Sequence, residues 1–213
     1  MSVARVGVLA LQGDFACHRA VLESLGVEAV RVTLPRDLEG CAALVMPGGE
    51  STTMLRMLEV TGLRAPLESF ARTEPVLGTC AGLILLAARP GILPSPPLGV
   101  LDVDVVRNAY GRQVDSFAAP VDVAPLGRRM PGVFIRAPRI TAVGPNVEII
   151  ARLPAPHGPA AAGEPVGVRA GRVVGLCFHP ELTADTALHG WFLGEVAGLH
   201  LGVVGSTPGG AAA

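Results

Sequence analysis

"RVGVLAL" (5–11), "AALVMPGG" (42–49) and "PVLGT" (75–79) are short aliphatic runs, and each meets glycine before a stretch of helical period begins. Runs of this length, apolar throughout, fit strands buried on both faces. The stretches behind them are "FACHRAVLESLG", stopped at Gly26, "STTMLRMLEV", with Ser51 or Thr52 as N-cap, and "AGLILLAA". "EAVRVTL" (28–34) adds a further strand. Buried strands alternating with amphipathic helices leave few solutions other than a parallel sheet with helices on both faces.

The second half changes character. "GVLDVDVVRNAYGRQVDSF", "GVFIRAP", "VEIIARL" and "PVGVRAGRVVGLCF" are short strands between turns, with "RAGR" (169–172) as a hairpin turn. They predict antiparallel additions to the sheet. "TADTALHGWFLGEVAGLHL" predicts a final amphipathic helix, and "PAPHGPAAAGEP" (154–165) a surface loop. The expected fold is an α/β three-layer sandwich: a central, mostly parallel sheet, flanking helices and antiparallel additions in the second half. A single domain over 1–204 is expected, with 205–213 as a disordered tail.

Charge and cysteine usage narrow the chemistry. The formal net charge is −1, which favours neither nucleic acid nor an anionic membrane. All 17 basic residues are arginine, so a P-loop lysine and a Schiff-base lysine are both excluded. Cys17, Cys41, Cys80 and Cys177 show no C-x-x-C spacing, which speaks against a zinc knuckle and for reduced thiols. No apolar segment is long enough to span a bilayer or form a signal-peptide core, so a cytoplasmic location is expected. No metal or cofactor is expected.

Cys80 stands at the corner between the run 75–79 and the helical stretch behind it. Ligands of open parallel sheets bind outside the carboxyl ends of the strands. Gly78-x-Cys80-x-Gly82 matches the G-x-nucleophile-x-G elbow, with cysteine in place of serine. Flanking glycines let strand and helix pack closely while the nucleophile takes strained backbone angles. A cysteine there can equally be a small buried residue, so a base must decide. "CFHPEL" (177–182) supplies one: His179, with Glu181 two residues on. In an extended segment both side chains share one side, so Glu181 can fix the tautomer of a histidine that takes and returns the thiol proton. The other polar candidates are weaker. Cys17, Cys41 and Cys177 fill the core; His18 on the first helix faces solvent or a partner. His157 belongs to the loop, and His189 and His200 lie in the last helix without ligand spacing. Asp115 and Asp185 are turn or capping residues.

Gly-Thr-Cys80-Ala-Gly together with His179-Pro-Glu181 resembles the class I glutamine amidotransferases, whose triad is Cys, His and Glu. "GVLALQGD" (7–14), "PGGESTTM" (47–54), "RNAYGRQVDSF" (107–117), "FIRAP" (134–138) and "HPELTAD" (179–185) are similar to the glutaminase subunits of pyridoxal 5′-phosphate synthases. The resemblance runs from about residue 5 to about residue 195. It implies a flavodoxin-like form of the sandwich and hydrolysis of L-glutamine through a γ-glutamyl thioester on Cys80. Gly49, Glu50, Ser51, Arg107, Ile135 and Arg136 would bind glutamine. Gly48, Gly49 and Ala81 would form the oxyanion hole, each donor worth about 3–4 kcal/mol. Ammonia would pass to a (β/α)8-barrel synthase subunit, and docking would complete the oxyanion hole. Helix capping is the plainer role for Glu50 and Ser51, and a surface ion pair for Arg107 and Arg136. The alternatives are a class I amidotransferase of another pathway and a non-catalytic, partner-binding subunit.

Overall fold

The computed structural model describes residues 3–109 and 116–201. Asp115, the middle of "RNAYGRQVDSF" and the 205–213 segment lie outside the described residues.

The backbone of the fold is a nine-stranded sheet in the order β2-β1-β3-β4-β12-β11-β10-β7-β8. Its strands are β1 (Arg5–Leu9), β2 (Glu28–Val32), β3 (Ala43–Met46), β4 (Val76–Thr79), β7 (Ser116–Val123), β8 (Arg128–Ile135), β10 (Glu148–Arg152), β11 (Pro165–Ala170) and β12 (Val173–Leu176). β2, β1, β3, β4 and β12 pair in parallel; β11, β10, β7 and β8 continue antiparallel. Every residue of β3, β4 and β12 is buried, as expected of unbroken aliphatic runs covered on both faces. Full burial of each valine, leucine or methionine among them contributes about 1.5–3 kcal/mol.

Helix α1 (Phe15–Ser24) links β1 to β2, while α2 (Ser51–Thr61) and α3 (Arg64–Thr73) link β3 to β4. The two crossovers step in opposite directions along the sheet, so right-handedness puts α1 on one face and α2–α3 on the other. Helix α4 (Ala81–Leu86) packs on β4, β12 and α2.

Several boundaries differ from the sequence reading. The helix after Cys80 does not run through Ala88. It ends at Leu86, and Ala87–Arg89 form β5, because Pro90 biases the preceding residue toward extended backbone. β5 pairs with β6 (Leu101–Val106), and β6 with β9 (Arg139–Val143), in a separate three-stranded sheet, so not all later strands extend the main one. The final helix is also shorter than expected. α5 spans Ala187–Trp191 and continues as a π-helical turn, Phe192–Val196, closed at Gly198 (φ 68°). Asp185 starts α5 by accepting from the Ala187 amide, and it pairs bidentately with Arg128 at 2.7 and 2.9 Å. The 154–165 loop is tied down: Glu164 accepts two bonds from Arg139, at 2.7 and 2.6 Å, and the His157 ring stacks on Phe117.

Candidate active site

Parallel pairing puts the carboxyl ends of β1, β3, β4 and β12 on one edge of the sheet. Gln12, the Gly48–Ser51 turn, Cys80 and His179 follow these strands in turn. β12 lies beside β4 with Leu176 opposite Thr79, and the Cys80 amide donates to the Leu176 carbonyl at 2.8 Å. A nucleophile and a base remote in sequence are thereby brought to one corner.

The corner is tight. Cys80 has φ 49° and ψ −102°, a region that costs about 1–3 kcal/mol for a residue with a side chain. A β-carbon on Gly78 would sit 2.7 Å from the Gly82 carbonyl carbon, and one on Gly82 would strike the Met46 carbonyl oxygen on β3. These glycines are what let strand, elbow and helix meet.

Gln12, Gly49, Glu50, Ser51, Cys80, Ile84, Arg107, Asn108, Ile135, Arg136 and His179 line a cleft of about 330 Å³. A larger depression, about 550 Å³ between β7, β8 and β10, contains neither cysteine nor histidine among its lining residues. The cleft therefore holds all six residues expected to bind substrate, with Cys80 and His179. Glu181 lies behind His179, buried, with Oε1 2.7 Å from His179 Nδ1. The pairing is not made in extended chain, as the sequence reading has it. Pro180 opens a 3-10 turn, Pro180–Leu182, and that turn carries the carboxylate under the ring.

Gly48 and Ala81 are buried and do not line the cleft. Gly48 abuts the imidazole: a β-carbon there would overlap His179 Cε1. Its carbonyl lies against Gly13. Ala81 is the first residue of α4, where backbone amides have no intrahelical acceptor. Glu50, rather than Ser51 or Thr52, caps α2. Its carboxylate accepts from the Thr52 amide at 3.1 Å and the Thr53 amide at 2.6 Å. Burial alone would raise this carboxyl, but the bonds from Thr53 and Thr52 outweigh it and hold the pKa at about 2. Arg107 pairs with Glu50 at 3.6 Å and donates to the Ile92 carbonyl at 3.3 Å. Among the described residues no carboxylate pairs with Arg136, whose backbone also has positive φ, 42°.

Electrostatics around His179 favour its charged form. Burial opposes a charged imidazole, yet the Cys80 and Glu181 side chains prevail and raise its pKa to about 10. Glu181 shows the counterpart: burial raises it, but His179 and His18 hold it well below the usual carboxylate range. The Cys80 sulfur also lies 3.8 Å from the Ile135 carbonyl oxygen, and no contact of His179 Nε2 is aligned as a hydrogen bond.

Two groups escape the sequence reading. Gln12 accepts from the Glu50 amide at 2.6 Å and forms one wall of the cleft; its place after β1, at the same sheet edge, is the signal that could have found it. His18 does not face solvent or a partner. It is fully buried, 3.2 Å from Glu181 Oε2, and His189 is buried beside it. His18 lies on α1, where only Leu22 is buried with it, and His189 on the short α5, so apolar spacing reveals neither buried face. Cys17 is half-buried rather than in the core, while Cys41 and Cys177 are buried. No helix of the described residues is long and apolar enough to cross a membrane.

Comparison with known proteins gives one answer at the levels of sequence and fold. Residues 8–198 match the SNO glutamine amidotransferase family. The pyridoxal 5′-phosphate synthase subunit PdxT of Deinococcus radiodurans is 51% identical over 195 residues, 89% of this chain and 95% of that protein. The subunit of the same name from Acidothermus cellulolyticus is 48% identical over 199 residues, 91% and 94% of the two chains. A crystal structure of a glutamine amidotransferase superposes with TM-score 0.82 at 46% identity, covering 91% of this chain and 99% of that one. The structure of PurLQS from Thermotoga maritima, at 19% identity and TM-score 0.66 over 86% and 91% of the chains, shares the fold.

Proposed function

The chain belongs to the SNO glutamine amidotransferase family, and from that premise we propose that it is the glutaminase subunit of a pyridoxal 5′-phosphate synthase. It hydrolyses L-glutamine to L-glutamate and ammonia. The observation that carries the chemistry is the strained elbow cysteine sharing one cleft with a histidine braced by a buried carboxylate.

Cys80 attacks the side-chain amide carbon of glutamine as its thiolate, its proton held on Nε2 of the charged His179. Glu181 holds the Nδ1 side of the ring and stabilises the imidazolium. The amides of Ala81 and Gly49 stabilise the oxyanion, with Gly48 keeping the turn close to the imidazole. Collapse of the tetrahedral adduct breaks the C–N bond; His179 returns the proton to the leaving nitrogen, and ammonia departs from a γ-glutamyl thioester. Water, deprotonated by His179, then attacks that thioester, and glutamate leaves as Cys80 returns to its thiolate. Arg136 is available for a forked contact with the α-carboxylate, because Arg107 is already paired with Glu50. Glu50 and Ser51 contribute backbone and hydroxyl groups, since the Glu50 carboxylate is occupied in capping α2, and Ile135 offers its carbonyl.

The names of the two relatives at about half identity support the vitamin B6 assignment. The ammonia goes to a barrel-shaped synthase subunit in a cytoplasmic hetero-oligomer, where any lysine chemistry on sugar phosphates belongs to the partner. The test has two arms. A diazoketone analogue of glutamine should label Cys80 and no other cysteine, and Cys80→Ala should abolish the label. Ammonia release should support pyridoxal 5′-phosphate formation when the synthase subunit is added. Labelling at Cys17, Cys41 or Cys177 instead, or no labelling, sinks the reading.

A further inference from the structure

Two histidines that this chemistry does not use lie fully buried behind Glu181. His18, within α1, sets Nε2 3.2 Å from Thr79 Oγ1 and 3.2 Å from Glu181 Oε2. The first contact is aligned as a hydrogen bond; the second is close enough for an ion pair but lies off the hydrogen-bonding direction. His18 Nδ1 is 3.0 Å from His189 Nε2 of α5, with the rings edge to face at 61°. Four separate elements therefore converge on the far side of the carboxylate: α1, β4, α5 and the 180–182 turn.

Elementary chemistry assigns the protons. Glu181 is ionised and accepts only. A bare His18 Nε2 beside Oε2 would set lone pair against lone pair, so Nε2 carries hydrogen. In the neutral ring Nδ1 is then an acceptor, and His189 Nε2 must donate to it. His189 Nδ1 is left as a bare acceptor, and it is the nitrogen of this pair that has no partner. A buried acceptor without a donor is better tolerated than a buried N–H without an acceptor. Burial lowers His189 to about 3, in keeping with a neutral ring.

Resting on the glutaminase reading above, we infer that His18, backed by His189, is a positioning residue for the reaction: its Nε2–H, bonded to Thr79, lies 3.2 Å from the outer oxygen of Glu181, and this close electrostatic contact holds the carboxylate that orients His179. Through Thr79 the clamp also grips the residue just before the nucleophile. The other ionisable groups that face Glu181 are His179 on its own turn, His189 on α5 and Cys17 on α1.

The test compares His18→Leu, which removes the donor, with His18→Gln, which can present an N–H near the position of Nε2. Glutamine hydrolysis is followed in the presence of the synthase subunit. For His18→Leu, kcat should fall on the order of tenfold, as when an outer partner of a catalytic group is lost. KM should stay within about twofold, because no substrate contact is removed. The acid limb of kcat/KM should move to higher pH, since Glu181 loses a polar contact that favours its charged form. His18→Gln should recover most of the rate and return the limb. An unchanged kcat and acid limb in His18→Leu overturns the inference. Should the leucine variant not fold, histidine nitrogen NMR on the wild-type protein decides: Nε2–H tautomers at both His18 and His189 support it, and an Nδ1–H tautomer at His18 overturns it. Absence of glutamine hydrolysis in the wild type would count against the glutaminase reading, while the tautomers still decide the clamp.

Discussion

Gly48 vacates the space that the His179 imidazole occupies: a β-carbon at position 48 would overlap ring atom Cε1. The turn after β3 thus sets how far the base stands from the cysteine. Gly48→Ala should displace the ring and lower kcat by about a hundredfold or more, the scale of a catalytic group misplaced by about 1 Å. Thermal melting and steady-state glutamine turnover, measured on the same preparation, separate this from unfolding. A variant with normal melting and full turnover would show that the contact is not what places His179.

Glu181→Gln should abolish most turnover while leaving the cleft formed. A neutral amide cannot stabilise the imidazolium, and loss of such a carboxylate elsewhere costs about 10⁴-fold in kcat. The residual rate, not binding of glutamine, is the readout.

The Glu50 carboxylate serves α2 through the Thr52 and Thr53 amides and neutralises Arg107. Glu50→Ala should cost about 1 kcal/mol of stability as a lost cap. In a chain of this size that is a fall in Tm of roughly 2–4 °C. With its pKa held at about 2, the cap is fully present above the ordinary carboxylate value of 4.5 and is lost as pH falls toward 2. Melting curves at pH 7 and pH 3 should therefore differ less for the variant than for wild type.

The buried histidines give opposite pH signatures. His179 is raised to about 10, so its contribution to stability is complete below pH 6.5 and fades as pH rises through about 10. His189 is lowered to about 3, so its contribution is complete above pH 6.5 and fades as pH falls toward 3. Glu181, also lowered, adds to the acid loss below pH 4.5. Denaturant midpoints across this range should show the alkaline decline flattened in His179→Asn and the acid decline flattened in His189→Phe. The reverse assignment would refute the charge states described for this network.

The Cys80 sulfur leans on the Ile135 carbonyl at 3.8 Å, and its contact with His179 Nε2 is not aligned as a hydrogen bond, so docking of the synthase subunit can improve the pair's alignment. Ammonia release should rise on the order of a hundredfold when the synthase subunit is added, the low end of what acid–base catalysis supplies. Equal turnover with and without the partner would refute this.

The parallel half of the fold is legible because its strands are unbroken apolar runs and its corners are marked by glycine. The elbow at Cys80 follows from the same signals, whereas Gly49, Glu50, Ser51, Arg107, Ile135 and Arg136 enter only through the family resemblance. What sequence hides is whatever depends on pairing across long separations. Nothing in "LDVDVV" says that β6 leaves the main sheet for β5 and β9. Likewise α3 carries Pro66 in its first turn, a position that helices tolerate but that breaks the visible pattern. His18 and His189 look like ordinary polar residues of helices, and only the docking of α1 and α5 around the 180–182 turn reveals that both are dry. Gln12 sits in a loop whose importance comes from the edge it shares with Cys80.

The order in which the chain delivers its parts has a consequence for synthesis on the ribosome. The nucleophile strand emerges early, but β12, which must lie beside it, is the last strand among the described residues, and the clamp from α5 comes later still. A chain that stops before residue 179 has its elbow cysteine but neither the imidazole nor the carboxylate that would activate it, so turnover should wait until the final hairpin has closed.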